Sequence, residues 1–189
     1  QAIKSHNPAL AVVDLRKGLS LIPQGCCHGG EDLHIWMSLR LAKTQAITIN
    51  YALSERFPEN KAIYEKNLKK FLEELSSLDK QITKELAPFK DKTVMVSHPS
   101  YGYFCRDYQL KQLSIEMEGH EPTPQKTTVL LNLAKQLQIK KIFVQPQYSS
   151  KGAEIFADIL KAGIVTLDPY SEDYLNSMKN IAEAFREGL

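Results

Sequence analysis

Two short apolar runs end in residues able to hold a cation or move a proton. Thr93-Val94-Met95-Val96 leads through Ser97 to His98, and Gly163-Ile164-Val165-Thr166-Leu167 leads to Asp168; Pro99 and Pro169 then turn the chain away. Imidazole and carboxylate are donors for divalent transition metals, and each is also a general base in other settings. Both residues have a plainer reading. His98 would be a ring satisfied by a strand-end carbonyl, and Asp168 the acceptor of an Asx turn ahead of Pro169. Placed at matching ends of two strands, however, they form a constellation. His34 follows Glu31 and Asp32 at the entrance of a helical pattern. Whether it joins the other two depends on whether its element faces theirs; by position alone it is a loop histidine. Cys26-Cys27-His28 also carries donors, yet adjacent cysteines chelate one ion poorly and no second Cys/His pair completes a structural site, which leaves a weak, flexible metal-catching loop.

Other chemistries lack their signatures. The chain has no G-x-S-x-G elbow, no Walker A loop, no G-x-G-x-x-G fingerprint and no H-E-x-x-H helix. Ser97 and Ser100 flank His98, but sequence neighbours rarely make a nucleophile and base pair. Tyr101, Tyr103 and Phe104 read as packing for the floor of a cleft. Among 189 residues, 24 basic and 22 acidic side chains leave a formal charge of +2 with no long block of either sign. That balance excludes a nucleic-acid footprint or a polybasic membrane patch. No apolar run approaches the roughly 18 residues of a membrane-spanning helix. Cys26, Cys27 and Cys105 are too few for a disulfide framework.

The elements that must position these residues follow from periodicity. Ala9 to Leu15, "ALAVVDL", reads as a strand, and the Gly- and Pro-rich stretch after it as a loop. Ile35 to Leu53 takes up helical spacing. Asn60 to Leu86 carries the clearest stripe, with Tyr64, Leu68, Phe71, Leu75, Leu78, Ile82 and Leu86 spaced by threes and fours, bounded by Pro58 and Pro88. A rod of that length suits a spine between two lobes. Beyond it strand and helix alternate: strands at "KTVMVS", "KQLSIEM", "KKIFVQP" and "GIVTLDP", and helices at "YFCRDYQL", Thr123 to Gln138, Gly152 to Ala162 and Ser171 to Leu189, the last capped by Ser171. The pattern predicts an α/β protein: a small parallel sheet with flanking helices in a C-terminal lobe, joined by a long helix to a partial N-terminal α/β lobe, with boundaries at 1–57, 58–88 and 89–189. Ligands of such sheets bind beyond the C-terminal strand ends, where His98, Gln145 and Asp168 lie.

Taken in order, the motifs resemble a known family. "EDLHIWMSLRLAK" is similar to a D-P-H-x-W-L-x-P segment, "VSHPSYGYFCRDYQL" to an H-D-A-Y-x-Y-F segment, and "GHEPTPQ", "IFVQPQYSSKGAE" and "VTLDPYSEDYLNSM" follow in the expected order. The family is the zinc-type solute-binding proteins of ABC transporters. That resemblance implies periplasmic or other extracytoplasmic capture of Zn2+ between two lobes joined by one long helix, delivery to an ABC permease, and no enzyme activity. It implies His34 and His98 as the second and third histidine ligands and Asp168 as a carboxylate beside them. A histidine rather than a glutamate at 98 points to zinc over manganese or iron, imidazole being the softer ligand. Tyr101, Glu121 and Gln145 are expected to line the cleft.

The chain departs from the pattern at Leu33 and Leu39, where prolines are usual, and at Gln145, where a glutamate is. Its histidine-rich loop is reduced to "GCCHGG". The first ligand histidine would precede Gln1, so the chain is expected to lack most of the first lobe, to bind zinc more weakly, and to dimerise through the face of the long helix thereby exposed. Acid is expected to weaken binding, since coordination needs the neutral ring. The alternatives are a manganese or iron member, a metal-dependent surface adhesin, and a zinc hydrolase in which Glu121 is the one candidate base.

Overall fold

The computed structural model describes residues 5–23, 30–116 and 122–189. His34 leads into a single 3-10 turn, Ile35–Met37, and the chain then straightens at Ser38 before α1, Leu39–Arg56. Ser38 is the reason for the restart: its Oγ accepts the Leu41 N–H at 3.0 Å, and it is a side-chain cap of the kind that replaces a missing intrahelical partner. The continuous helix expected from Ile35 is therefore broken in its first turn. A 3-10 turn at Pro58–Asn60 connects α1 to α2, Lys61–Leu86, and a second at Ala87–Phe89 ends it. At 1.5 Å per residue, α2 is roughly 39 Å long.

Strands β1, Thr93–Val96, β2, Lys111–Ser114, β3, Lys141–Val144, and β4, Gly163–Thr166, alternate with α3, Gly102–Asp107, α4, Pro124–Gln136, α5, Lys151–Leu160, and α6, Tyr174–Gly188. All pairings are parallel, in the order β2-β1-β3-β4. The chain therefore leaves β1 on one side and returns on the other, which opens a crevice beyond the C-terminal ends of β1 and β3. Both central strands are buried on two faces. Val94, Val96 and Phe143 point to one core, which takes in α2 and α6; Met95, Ile142 and Val144 point to another, beneath α4 and α5. Phe185 of α6, fully buried, anchors the first core against Tyr101, Phe104 and Phe143 at ring separations of 5.4, 5.5 and 4.8 Å. Burying each such ring contributes about 1.5–3 kcal/mol.

The α2 stripe is as expected in position and divided in use. Leu75, Ile82 and Leu86, in its second half, are buried against the first core, while Ile63 in its first turn stays exposed. Two other expectations are corrected. Ala9 to Leu15 forms no strand: the run is irregular between two turns, with the Leu10 N–H on the Asn7 carbonyl at 3.0 Å and Val12 and Val13 exposed. Its β-branched composition is strand-like, but among the described residues no neighbouring strand offers a ladder. The cap of α6 is Asp173, whose Oδ1 accepts the Asn176 N–H at 3.3 Å, rather than Ser171.

Candidate metal centre

The sequence separates His34 from His98 by 64 positions, and the fold brings their rings edge to face at 5.5 Å between centroids. Each is positioned by a different device. Asp32 and His34 lie on the approach to the 3-10 turn, which the Asp32 N–H ties to the Ile22 carbonyl at 2.9 Å. Tyr103 of α3 donates its hydroxyl to the Asp32 carbonyl at 2.6 Å and accepts the Ile22 N–H at 3.1 Å, so a buried phenol bridges both strands of this entry loop. His98 follows β1 by two residues, and the Ser97 N–H before it bonds to the Phe143 carbonyl at 2.8 Å, extending the β1–β3 ladder to the crevice.

The environment of the two rings is similar. His34 Nδ1 lies 2.7 Å from Asp32 Oδ1, and His98 Nδ1 lies 2.9 Å from Glu116 Oε2. An ionised carboxylate only accepts, so Nδ1 donates in both pairs. The lone pair of each neutral ring then sits on Nε2, and among the described residues no hydrogen bond uses either Nε2. The imidazoles are also mostly shielded, with side-chain exposures of 18% and 14%. A chain of aromatic contacts surrounds them. Trp36 meets His34 at 5.3 Å and Tyr170 at 5.5 Å, and Tyr148 stacks on His98 at 4.6 Å. Burial and the neighbouring Tyr148 hydroxyl push the Tyr170 phenol up to about 12.

Asp168 stands otherwise. Its Oδ1 accepts both the Gln147 side-chain amide at 2.7 Å and the Tyr170 N–H at 2.9 Å, the Asx turn that the Asp-Pro sequence also allowed. Among the described residues, no three His, Cys, Asp or Glu side chains are grouped closely enough to hold an ion. The structure thus brings His34 and His98 together, while one Asp168 oxygen is engaged by its own turn and by Gln147. Tyr101 and Gln145, expected to line the cleft, lie beneath it. Tyr101 is fully buried with its hydroxyl 3.4 Å from the Leu167 carbonyl, and Gln145 donates its amide to Ser100 Oγ. Tyr101, just ahead of α3, packs on Phe185 of the first core, and Gln145 directly follows the central strand β3, so burial takes both side chains off the surface. Glu121, Cys26, Cys27 and His28 fall outside the described residues.

Comparison with known proteins gives this geometry its context. Residues 1–188 match the model of the family described as zinc-uptake complex component A periplasmic. The chain belongs to that family. Among curated members of the zinc-uptake family, the high-affinity zinc uptake system protein ZnuA of Brucella abortus is 30% identical over 85% of this chain and 51% of its own length. The chain spans from about a third to about two thirds of the length of the curated relatives it matches. A crystal structure of ZnuA superposes with a TM-score of 0.92 at 34% identity, covering 98% of this chain and 73% of that one. A ZnuA deletion mutant with zinc bound gives 0.93 at 35% identity, covering 98% and 72%. The four-stranded parallel sheet with flanking helices thus matches the corresponding part of the ZnuA structures. Sequence reasoning passed over Asp32 and Glu116, treating the first as helix-terminal charge and not weighing the second. The available signal for Asp32 was its place two residues before a histidine; for Glu116 there was none, because only strand pairing sets it beside His98.

Proposed function

We propose that this chain captures a zinc ion at His34 and His98 and, as part of an ABC-type uptake system outside the cytoplasm, passes it to a membrane permease. The observation that carries the reading is the pair of shielded imidazoles, both hydrogen-bonded through Nδ1 and both with Nε2 uncommitted among the described residues. That is the arrangement in which a histidine ligates zinc through one nitrogen while a carboxylate holds the other. Zinc in a tetrahedral site takes four donors at about 2.0–2.2 Å. In this reading Asp168 is the third donor, through the Oδ2 that its Asx turn leaves over, with water or a further donor completing the set. The zinc is cargo rather than a resident cofactor, and a solute-binding role calls for no catalytic base.

The three-part organisation at 1–57, 58–88 and 89–189 belongs to the same reading, with α2 as the stiff connector between lobes. The finer inference is self-association. A shallow apolar groove between α1 and α2, lined by Ile49, Leu53, Tyr64, Leu68 and Phe71, is the face across which two copies would meet.

Competition titration against a chromogenic zinc chelator tests the capture. The unaltered protein binds one zinc, and His98→Ala lowers the affinity at least about 100-fold, beyond the range for loss of an outer partner. Equal affinity in the two proteins would remove His98 from the site.

A further inference from the structure

Among the described residues, Asp32 and Glu116 are the acidic side chains hydrogen-bonded to His34 and His98, and the fold builds a separate support for each. Asp32 is about nine-tenths buried. Its Oδ1 accepts from both the His34 N–H at 2.9 Å and the His34 ring at 2.7 Å. Its backbone is held at both polar atoms, by the Ile22 carbonyl and the Tyr103 hydroxyl. The space for its other carboxylate oxygen comes from Gly102: a Cβ there would stand 2.7 Å from Asp32 Oδ2. Glu116 reaches His98 from beyond the end of β2, and its own N–H is fixed to the Ser97 carbonyl at 2.9 Å, one residue from the ring it meets.

Resting on the zinc reading, we propose that Asp32 and Glu116 are positioning residues that lock His34 and His98 in the Nδ1–H tautomer, and that Gly102 serves the first of them by leaving room for its carboxylate. A carboxylate on Nδ1 fixes which nitrogen carries the proton and which way the ring faces. Without it, the ring of a free histidine favours the proton on Nε2, the atom needed for the metal. The two carboxylates therefore act before any ion arrives, by keeping both lone pairs aimed into the crevice. Asp32 does this from the same turn as its histidine, whereas Glu116 does it across the sheet.

The test separates this assignment from the zinc reading because its first readout needs no metal. Nitrogen-15 NMR of the metal-free protein reports each ring's tautomer, and zinc competition reports affinity. In the unaltered protein both rings carry the proton on Nδ1. Asp32→Ala and Glu116→Ala each convert their own histidine, and only that one, toward the Nε2–H form and lower zinc affinity by about 10–100-fold. Asp32→Asn keeps an acceptor at the same place, so it retains the Nδ1–H tautomer and recovers most of the affinity. Gly102→Ala displaces the Asp32 carboxylate without deleting it and reproduces the ring conversion of Asp32→Ala in a protein whose circular dichroism is unchanged. Rings that stay Nδ1–H in both alanine variants would overturn the positioning role. Absence of zinc binding by the unaltered protein, with the ring conversions as described, would instead overturn the zinc reading.

Discussion

Trp36 ties the candidate ligands to the far edge of the sheet, and it is the only tryptophan in the chain. Its indole Nε1–H donates to the Pro169 carbonyl at 2.9 Å, its carbonyl accepts the Tyr174 hydroxyl at 2.7 Å, and its ring lies 5.3 Å from His34. An ion on His34 alters the charge and the motion of the imidazole against that ring. Zinc titration is therefore expected to change the Trp36 emission saturably, with a midpoint equal to the affinity from competition, and His34→Ala is expected to abolish the change while leaving the fold intact. Emission that is unaffected at saturating zinc would place the ion away from His34. At this scale the sequence was partly legible. His98 and Asp168 share the same sign, a polar residue between a strand and a proline, and the structure differs in what engages them: the imidazole is held by a carboxylate from beyond the end of another strand, whereas the carboxylate spends an oxygen on its own turn. Both environments read alike in one dimension, since what distinguishes them is the neighbours supplied by Glu116 and Gln147.

At the scale of elements, the start of α1 determines where His34 can stand. Ser38 is fully buried; its Oγ accepts from the Leu41 N–H and donates to Asp107 Oδ2, while Arg106 binds the other carboxylate oxygen at 2.7 and 2.9 Å. One hydroxyl thus caps α1, satisfies a buried carboxylate at the end of α3 and stops the 3-10 turn that carries Trp36. Ser38→Ala removes the cap and leaves Asp107 short of a donor. Loss of a cap costs about 1 kcal/mol, and an unsatisfied buried acceptor about 1–3 kcal/mol. Urea unfolding is expected to show a loss of about 2–3 kcal/mol with an unchanged slope; a loss below about 0.5 kcal/mol would show that Ser38 holds neither element. Helix α2 and the four strands were readable because long periodic runs and β-branched runs between turn residues are local signals. The break at Ser38 was not, because Ile35 to Leu53 has helical periodicity throughout and only the buried Asp107 partner makes the restart favourable. "ALAVVDL" failed for the complementary reason: strand composition specifies a tendency, and pairing needs a second strand.

Across the whole molecule, the first core is built on phenols as well as hydrocarbons. Tyr101 and Tyr108 flank α3 at its two ends and Tyr174 opens α6, and burial pushes all three well above the ordinary range for a phenol; at Tyr108 and Tyr174 the acidic neighbours Asp79 and Asp107 add to the effect. Tyr101 and Tyr108 lie inside this core and Tyr174 packs against it, so ionisation is disfavoured at all three while the chain is folded. The direction of the pH dependence follows. Below about pH 10 the phenols are protonated in the folded and the unfolded chain alike, and they add no pH dependence. Above it the unfolded chain loses protons that the folded chain keeps, so stability falls as pH rises, by up to about 1.4 kcal/mol per pH unit for each phenol. Stability from urea titrations is expected to be level near neutrality with respect to these groups and to decline steeply from about pH 10. The phenolate absorbance of the three is expected to appear together with unfolding rather than ahead of it. Replacing Tyr174 with Phe removes one phenol and the 2.7 Å bond to the Trp36 carbonyl; the variant is expected to be less stable at pH 7 and to lose stability less steeply above pH 10. Phenolate absorbance that develops fully while the protein remains folded would show that this core admits solvent, and with it that the crevice above it is less sheltered than the burial of its rings indicates.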